Sequence, residues 1–269
     1  MQSTLPVQND LKARWMAGGV VAVTSLALEA RVARGRGVRV ICSHGARLGP
    51  AIEMAMECGV SGIISFGVAG GLAPGLAAGD WIVAATVRTG QQRFATDLQW
   101  TRYLLGRLPG AMHADILGTD TLVSDPLTKK SLYAQTGAAA VDMESHIAAR
   151  IAAAHRVPFV VCRAIIDAAD TPLPPLALVA LRDDGTTDVA AVLRSVLKQP
   201  AQLPALVRIA RAASVARTAL RRGCVILGPA MGFPHFPNSL ADTRYTPRMA
   251  QKCCRDSIRA TTQRNGVRP

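Results

Sequence analysis

The feature that most constrains this chain is a repeating order. A short, continuous run of apolar, largely β-branched residues stops at a glycine or polar cluster and gives way to a helical stretch. Val20–Val23, Val38–Cys42, Gly62–Phe66, Trp81–Val87 and Val157–Ile166 are runs of this kind. Continuous rather than alternating apolar runs belong to strands covered on both faces. The intervening helical patterns are clearest at Leu48–Cys58 and Met143–His155. This βα rhythm predicts an α/β fold, a mostly parallel sheet sandwiched between helices. With 269 residues, 49% of them hydrophobic, the chain can bury one generous core.

The pattern weakens towards the end. Pro172, Pro174 and Pro175 break the chain after Asp170, and Arg182–Asp188 reads as a polar loop. Helical periodicity resumes over Val189–Lys198 and Leu203–Arg221, and no period is left beyond Gly228. The expected organisation is a catalytic domain over residues 1–231 and a basic, poorly ordered tail over 232–269. Charge follows the same division: residues 201–269 carry 12 Lys+Arg against 2 Asp+Glu, a net of +10 out of the +13 of the whole chain. The basicity therefore belongs to the end of the chain, where it suits a solvated arm, an anionic membrane surface or nucleic acid.

No stretch reaches the roughly 18 uninterrupted apolar residues of a membrane span. Met1–Gln8 is polar without a clear cleavage site, and Trp15–Leu28 reads as a buried strand. The six cysteines have no CxxC or Cys/His spacing, so free thiols, no metal and a cytoplasmic setting are expected.

Ligands of open α/β sheets bind beyond the carboxyl ends of the strands. Reading each run to its end places there Glu29, the loop Ser43-His44-Gly45-Ala46-Arg47, the cluster Gly67-Val68-Ala69-Gly70-Gly71, and Asp167. The glycine cluster allows close backbone approach to a ligand, but it is neither GxGxxG nor GxxxxGK[ST]. Dinucleotide and P-loop assignments therefore lack support. Glu144, on a helix beginning near Asp142, shares an apolar face with Ile147, Ala148 and Ile151. A carboxylate at the head of a buried stripe needs hydrogen-bond partners, and a pair of sugar hydroxyls would serve. A capping role fits Asp142 better. Asp167 ends ten largely apolar residues, with Arg163 four positions earlier. A partly desolvated carboxyl there suits a general acid or, more blandly, a turn.

Ser65–Ala84 (SFGVAGGLAPGLAAGDWIVA) and Ala140–Asp170 (AVDMESHIAARIAAAHRVPFVVCRAIIDAAD) together resemble the purine nucleoside phosphorylase and adenosylhomocysteine nucleosidase superfamily, over about Val20 to Asp170. Leu173–Leu206 narrows the resemblance to the hopanoid-associated nucleoside phosphorylases. The resemblance implies a three-layer α/β/α sandwich with a mostly parallel, mixed central sheet, and it implies that Glu144 holds the ribose hydroxyls and that Met143 lines the sugar pocket. It also implies that Asp167 protonates purine N7, that Glu29 positions an attacking water and that the backbone of Val123 reads the adenine edge. Val68, Ala69, Gly70, Leu122, Ile166 and Arg163 complete the implied substrate-binding set.

Four positions depart from the pattern. Ile166 replaces a serine, Leu122 a stacking phenylalanine and Val68 a serine or threonine, while Ser65 falls where phosphorylases carry a phosphate-binding arginine. Ser43, Gly45 and Arg47 offer another anion site, so water and phosphate both remain open as nucleophile. The implied activity is adenine release from a 5′-substituted adenosine, adenosylhopane by the subgroup, without cofactor. The implied partners are a nucleoside, lipid-linked in that case, and inorganic phosphate if phosphorolysis applies. A homo-oligomer is expected, with peripheral contact at the inner face of the membrane through the basic tail. The rival readings are a methylthioadenosine or adenosylhomocysteine nucleosidase, a catalytically silent nucleoside-binding protein, and a nucleic-acid binder acting through residues 201–269.

Overall fold

A computed structural model describes residues 19–173 and 203–234. The eight strands are β1 (Val20–Thr24), β2 (Val38–Cys42), β3 (Gly62–Gly71), β4 (Trp81–Thr89), β5 (Gln92–Ala95), β6 (Met112–Gly118), β7 (Ala140–Asp142) and β8 (Phe159–Asp167). The helices are α1 (Ala27–Ala33), α2 (Leu48–Glu57), α3 (Leu98–Arg107), α4 (Pro126–Thr136), α5 (Ser145–His155) and α6 (Leu203–Leu227).

The sheet is mixed, as the family resemblance implies. β1 pairs in parallel with β2 and β3, β3 with β8, and β6 with β4 and β7. The pairs β3–β7, β4–β5 and β4–β8 are antiparallel. Because β8 joins both β3 and β4, the path β3-β7-β6-β4-β8 returns on itself, and the sheet closes into a partial barrel with β1, β2 and β5 outside the ring.

Both faces of the sheet are buried, which is why the strand runs are apolar without alternation. Val21, Val23, Ile63 and Val161 face one core with Ile52 of α2 and Ala148, Ile151 and Ala152 of α5. Val20, Ala22, Ile64 and Phe66 face the other, with Trp100 and Leu104 of α3 and Leu220 and Leu227 of α6. The three layers follow from these two cores.

Three expectations need correction. The cluster Gly67–Gly71 is not a turn after Phe66 but the second half of β3. It keeps pairing because β8 and β7 supply partners, Gly67↔Arg163 on one side and Gly70↔Val141 on the other, with a bulge between Ala69 and Gly70. The final helix runs past Arg221 to Leu227. Finally, Gly232 and Phe233, set in the tail by sequence, are buried. Phe233 meets Trp100 edge-on at 5.0 Å, and the Trp100 indole donates to the Met231 carbonyl at 3.0 Å. The helical pattern at Val189–Lys198, the loop Arg182–Asp188, most of residues 232–269 and the amino-terminal reading lie outside the described residues.

Candidate active site

The carboxyl ends of β1, β3, β7 and β8 converge on a buried ionic cluster. Its centre is Arg163, fully buried on β8. Its Nε lies 2.8 Å from Asp142 Oδ2, and its Nη2 donates to Glu144 Oε2 at 3.1 Å and to the Ser65 hydroxyl at 2.6 Å. Nη1 donates to the Val68 carbonyl at 3.3 Å. Arg163 is thus the buried anchor on which Glu144 is held.

Glu144 sits at the N-cap of α5, one residue before the helix, and is itself buried. The sequence reading put it inside the first turn. The helix starts later because Asp142 caps it: its carboxylate accepts the Ser145 amide at 3.1 Å and the Ser145 hydroxyl. The Ser145 and Ser65 hydroxyls lie 2.9 Å apart, so a continuous chain runs from Arg163 through Ser65 and Ser145 to Asp142. Glu144 is thus free of capping duty and turned to the guanidinium.

Glu29 reaches the same cluster from α1. Its Oε2 accepts the amides of Ser25 and Leu26, both at 3.0 Å, and Oε1 accepts the Val68 amide at 2.7 Å. The carboxylate is fully buried and tied to the β1–α1 turn and to β3. Three carboxylates therefore surround one guanidinium. Burial pushes Glu144 up, Arg163 opposes it, and Asp142 and Glu29 add to it, so that Glu144 titrates at about 7. Gly67 leaves room for this packing: a Cβ there would lie 2.4 Å from Glu29 Oε1 and 2.7 Å from Arg163 Nη1.

Asp167 lies at the far end of β8, four residues beyond Arg163, about 13 Å along a strand. It is buried against Gly70, where a Cβ would come 3.5 Å from both carboxylate oxygens. Its partner was not foreseen. Lys129 of α4, fully buried, forms an ion pair with Asp167 Oδ2 and also donates to the carbonyls of Ala168 at 2.9 Å and Thr171 at 3.4 Å. Burial raises the Asp167 pKa, and Lys129 works against that rise.

The remaining candidates surround this line of charge. Met143 adjoins Glu144 and is half-buried, like Val68, Gly70 and Ile166, while Ala69 is buried. Leu122 and Val123 lie in the loop between β6 and α4; Leu122 is 52% exposed, and Val123 packs on a small cluster with Leu72 and Val141. His146, buried on α5, bonds Asp120 of that loop at 3.0 Å. Ser43 follows β2, its amide held by the Thr24 carbonyl at 3.0 Å, and Gly45 and Arg47 form an exposed turn beside the β1 end. That loop lies at the carboxyl end of β2.

A mixed α/β sheet with buried carboxylates at one strand edge is the class of enzyme that the fold and site define. Residues 31–203 match the family model of the phosphorylase superfamily, and the chain belongs to that superfamily. The match contains Glu144, Arg163, Asp167 and Lys129 but begins after Glu29. No curated protein sequence matches the chain significantly.

Similar solved structures include the futalosine hydrolase of Helicobacter pylori, at 15% identity over 81% of this chain and 98% of that one, with a TM-score of 0.57. The 5′-methylthioadenosine/S-adenosylhomocysteine nucleosidase of the same organism, complexed with a substituted pyrrolidin-3-ol, aligns at 15% identity over 78% of this chain and 98% of that one, with a TM-score of 0.55. The S-adenosylhomocysteine nucleosidase of Streptococcus pyogenes, complexed with 5-methylthiotubericidin, aligns at 16% over 77% and 97%, with a TM-score of 0.52. At these identities the likeness is one of fold, and it agrees with the mixed-sheet α/β architecture.

Proposed function

We propose that the protein cleaves the N-glycosidic bond of a 5′-substituted adenosine by hydrolysis and releases adenine. The observation that carries this reading is the pair of buried carboxyl groups, Glu144 on Arg163 and Asp167 on Lys129. The ribose lies at Glu144, whose carboxylate accepts its hydroxyls and stabilises the positive charge that develops on the ring. The base lies towards Asp167, which protonates N7 so that adenine leaves as a neutral molecule. Two carboxyl groups with different environments thus divide the work, as in glycoside hydrolysis.

Water suits the site better than phosphate. Asp142, Glu144 and Glu29 surround Arg163, and this local negative surplus disfavours a phosphate dianion. Ser65, where a phosphate-binding arginine would be needed, is buried and already bonded to Arg163. Glu29, carrying the Val68 amide on Oε1, steers the water through the acceptor capacity left there. Ser43, Gly45 and Arg47 are the place for phosphate if phosphorolysis occurs.

The apolar residues Val68, Leu122 and Ile166 suit a greasy 5′ substituent, as in the adenosylhopane of hopanoid side-chain biosynthesis. This is also what the hopanoid-associated subgroup implies. The outward face of α6 carries Arg208, Arg211, Arg217, Arg221 and Arg222 with exposed Val207, Val215 and Val225, and the helix has no acidic residue. Such a face favours peripheral contact with an anionic bilayer holding the lipid. On this reading residues 1–231, with Gly232 and Phe233 added, are the catalytic domain, which works as a homo-oligomer at the cytoplasmic face.

The test is to incubate the protein with adenosylhopane and with 5′-methylthioadenosine, with and without phosphate, and to resolve base and sugar products. Adenine and a free sugar formed at one rate in both buffers, faster from the lipid, support the proposal. A phosphosugar transfers the reaction to phosphorolysis. Preference for the small thio-nucleoside refutes the lipid assignment.

A further inference from the structure

Lys129 is a buried group for which the reaction as described so far has no use. It lies on α4, a helix capped by Asp125, whose carboxylate accepts the Thr128 amide at 2.7 Å, and ended by Gly137 in the left-handed region. Lys129, Leu132 and Thr136 form the stripe of α4 that turns inward. The ammonium has three acceptors: the Asp167 carboxylate and the neutral carbonyls of Ala168 and Thr171. Among the described residues Asp167 is its single counter-ion, and Lys129 is the charged group that acts on Asp167. Glu144, Asp142, Glu29 and Arg163 form their own cluster at the other end of the site.

A buried ion pair is a poor stabilising device, because desolvating both charges offsets their attraction. Its presence at the group assigned to protonate the base points to chemistry. A carboxylate paired with an ammonium has no proton to give. The pair nevertheless holds one, on nitrogen. Moving it from Nζ to Oδ2 converts ammonium and carboxylate into amine and carboxylic acid without changing the net charge of the buried site. Burial favours that transfer by raising Asp167.

We propose that Lys129 stores the proton that Asp167 passes to the purine. The inference rests on the N-glycosidic reading above. In the step, the Nζ–H electron pair stays on nitrogen, and the proton passes to the Asp167 carboxylate and from it to N7. The C1′–N9 electron pair flows into the base, which leaves as neutral adenine. Water bonds to C1′ and loses a proton, which restores the Lys129 ammonium before the next turnover. Lys129 never touches the substrate and acts through Asp167. The carbonyls of Ala168 and Thr171 keep the neutral amine in place after it has given up its proton.

The test compares the wild type with Lys129→Met and Lys129→Arg on two substrates sharing one 5′ substituent. One is the adenosine; the other is a riboside with 4-nitrophenolate as leaving group, which departs without a proton. On the adenosine, Lys129→Met is expected to lose at least about 100-fold in kcat, the lower range for general acid catalysis. The alkaline limb of its kcat/KM profile is expected to move down by at least about two pH units, because without Lys129 the site has only the carboxyl proton of Asp167 to lose. On the nitrophenyl riboside the same variant stays within about threefold of the wild type, which also shows that it is folded. Lys129→Arg keeps the charge without a transferable proton and behaves like Lys129→Met.

Rescue by arginine, an unmoved alkaline limb, or equal losses on both substrates overturns the proposal, since each means that Lys129 acts by charge or packing alone. A wild type that cleaves the nitrophenyl riboside but no purine nucleoside refutes the adenine-releasing reading itself, and the inference falls with it.

Discussion

Replacing Glu144 by glutamine tests the electrostatics of the cluster without reference to any substrate. In the folded protein burial raises this carboxyl from 4.5 to about 7, with Arg163 opposing and Asp142 and Glu29 adding. A carboxyl whose folded pKa lies above its unfolded one binds its proton more tightly in the native state. Its contribution to stability is fully present below about pH 4.5 and is lost as pH rises through about 7. The shift of about 2.5 units corresponds to about 3 kcal/mol at 1.36 kcal/mol per unit. Glutamine does not titrate, so Glu144→Gln lacks this slope. Any constant difference from its weaker bond to Arg163 displaces the whole curve without bending it.

Urea unfolding of both proteins between pH 4.5 and 8.5 therefore gives a difference in unfolding free energy that changes by about 3 kcal/mol in favour of the variant as pH rises. Titrating groups outside this cluster are common to both proteins and cancel. A difference that stays flat across this range refutes the argument that three carboxylates crowd one guanidinium.

The same titration sets an activity profile: kcat/KM falls as pH drops through about 7, because protonated Glu144 no longer offers negative charge to the ribosyl cation, and a steady-state pH series reads it directly. Gly67→Ala drives a methyl group into the Glu29 carboxylate and the Arg163 guanidinium. About 1–3 kcal/mol of stability should go with it, seen in urea unfolding, together with a larger relative loss of kcat. Phe233→Ala empties the edge-on contact with Trp100 and is expected to cost about 3–5 kcal/mol in the same assay. A truncation after residue 231 should be at least as damaging.

Much of this architecture was legible because burial on two faces leaves a plain mark. The runs at Val20–Val23, Val38–Cys42 and Val157–Ile166 each became strands with little change of boundary. The glycine cluster misled because glycine usually ends a strand. Here Gly67 and Gly70 are inside one, as the carboxylates of Glu29 and Asp167 occupy the space that side chains would fill. Glu144 and Asp167 were legible as acids in apolar settings. What holds them was less so. Arg163 was noticed for its spacing, but its bonds to Asp142 and Ser65 depend on β7 and β8 flanking β3, a pairing that no local pattern encodes.

Lys129 was missed for the opposite reason. Its neighbourhood, Pro126-Leu127-Thr128-Lys129-Lys130, is polar like any solvated helix, and Lys130 is indeed exposed. The available signal was the cap at Asp125 and the stop at Gly137, which fix the helix and put Lys129 on the Leu132 stripe. Phe233 escaped notice because an aromatic among prolines and glycines has no period to betray its packing.

The most direct test of the account is the release of adenine from one 5′-substituted adenosine by the wild type, Glu144→Gln and Asp167→Asn, followed by chromatography of the free base. The account predicts turnover by the wild type and losses of at least about 100-fold in each variant, with the nucleoside still bound by Asp167→Asn. Release that survives both substitutions, or a folded wild type that frees no adenine, contradicts it.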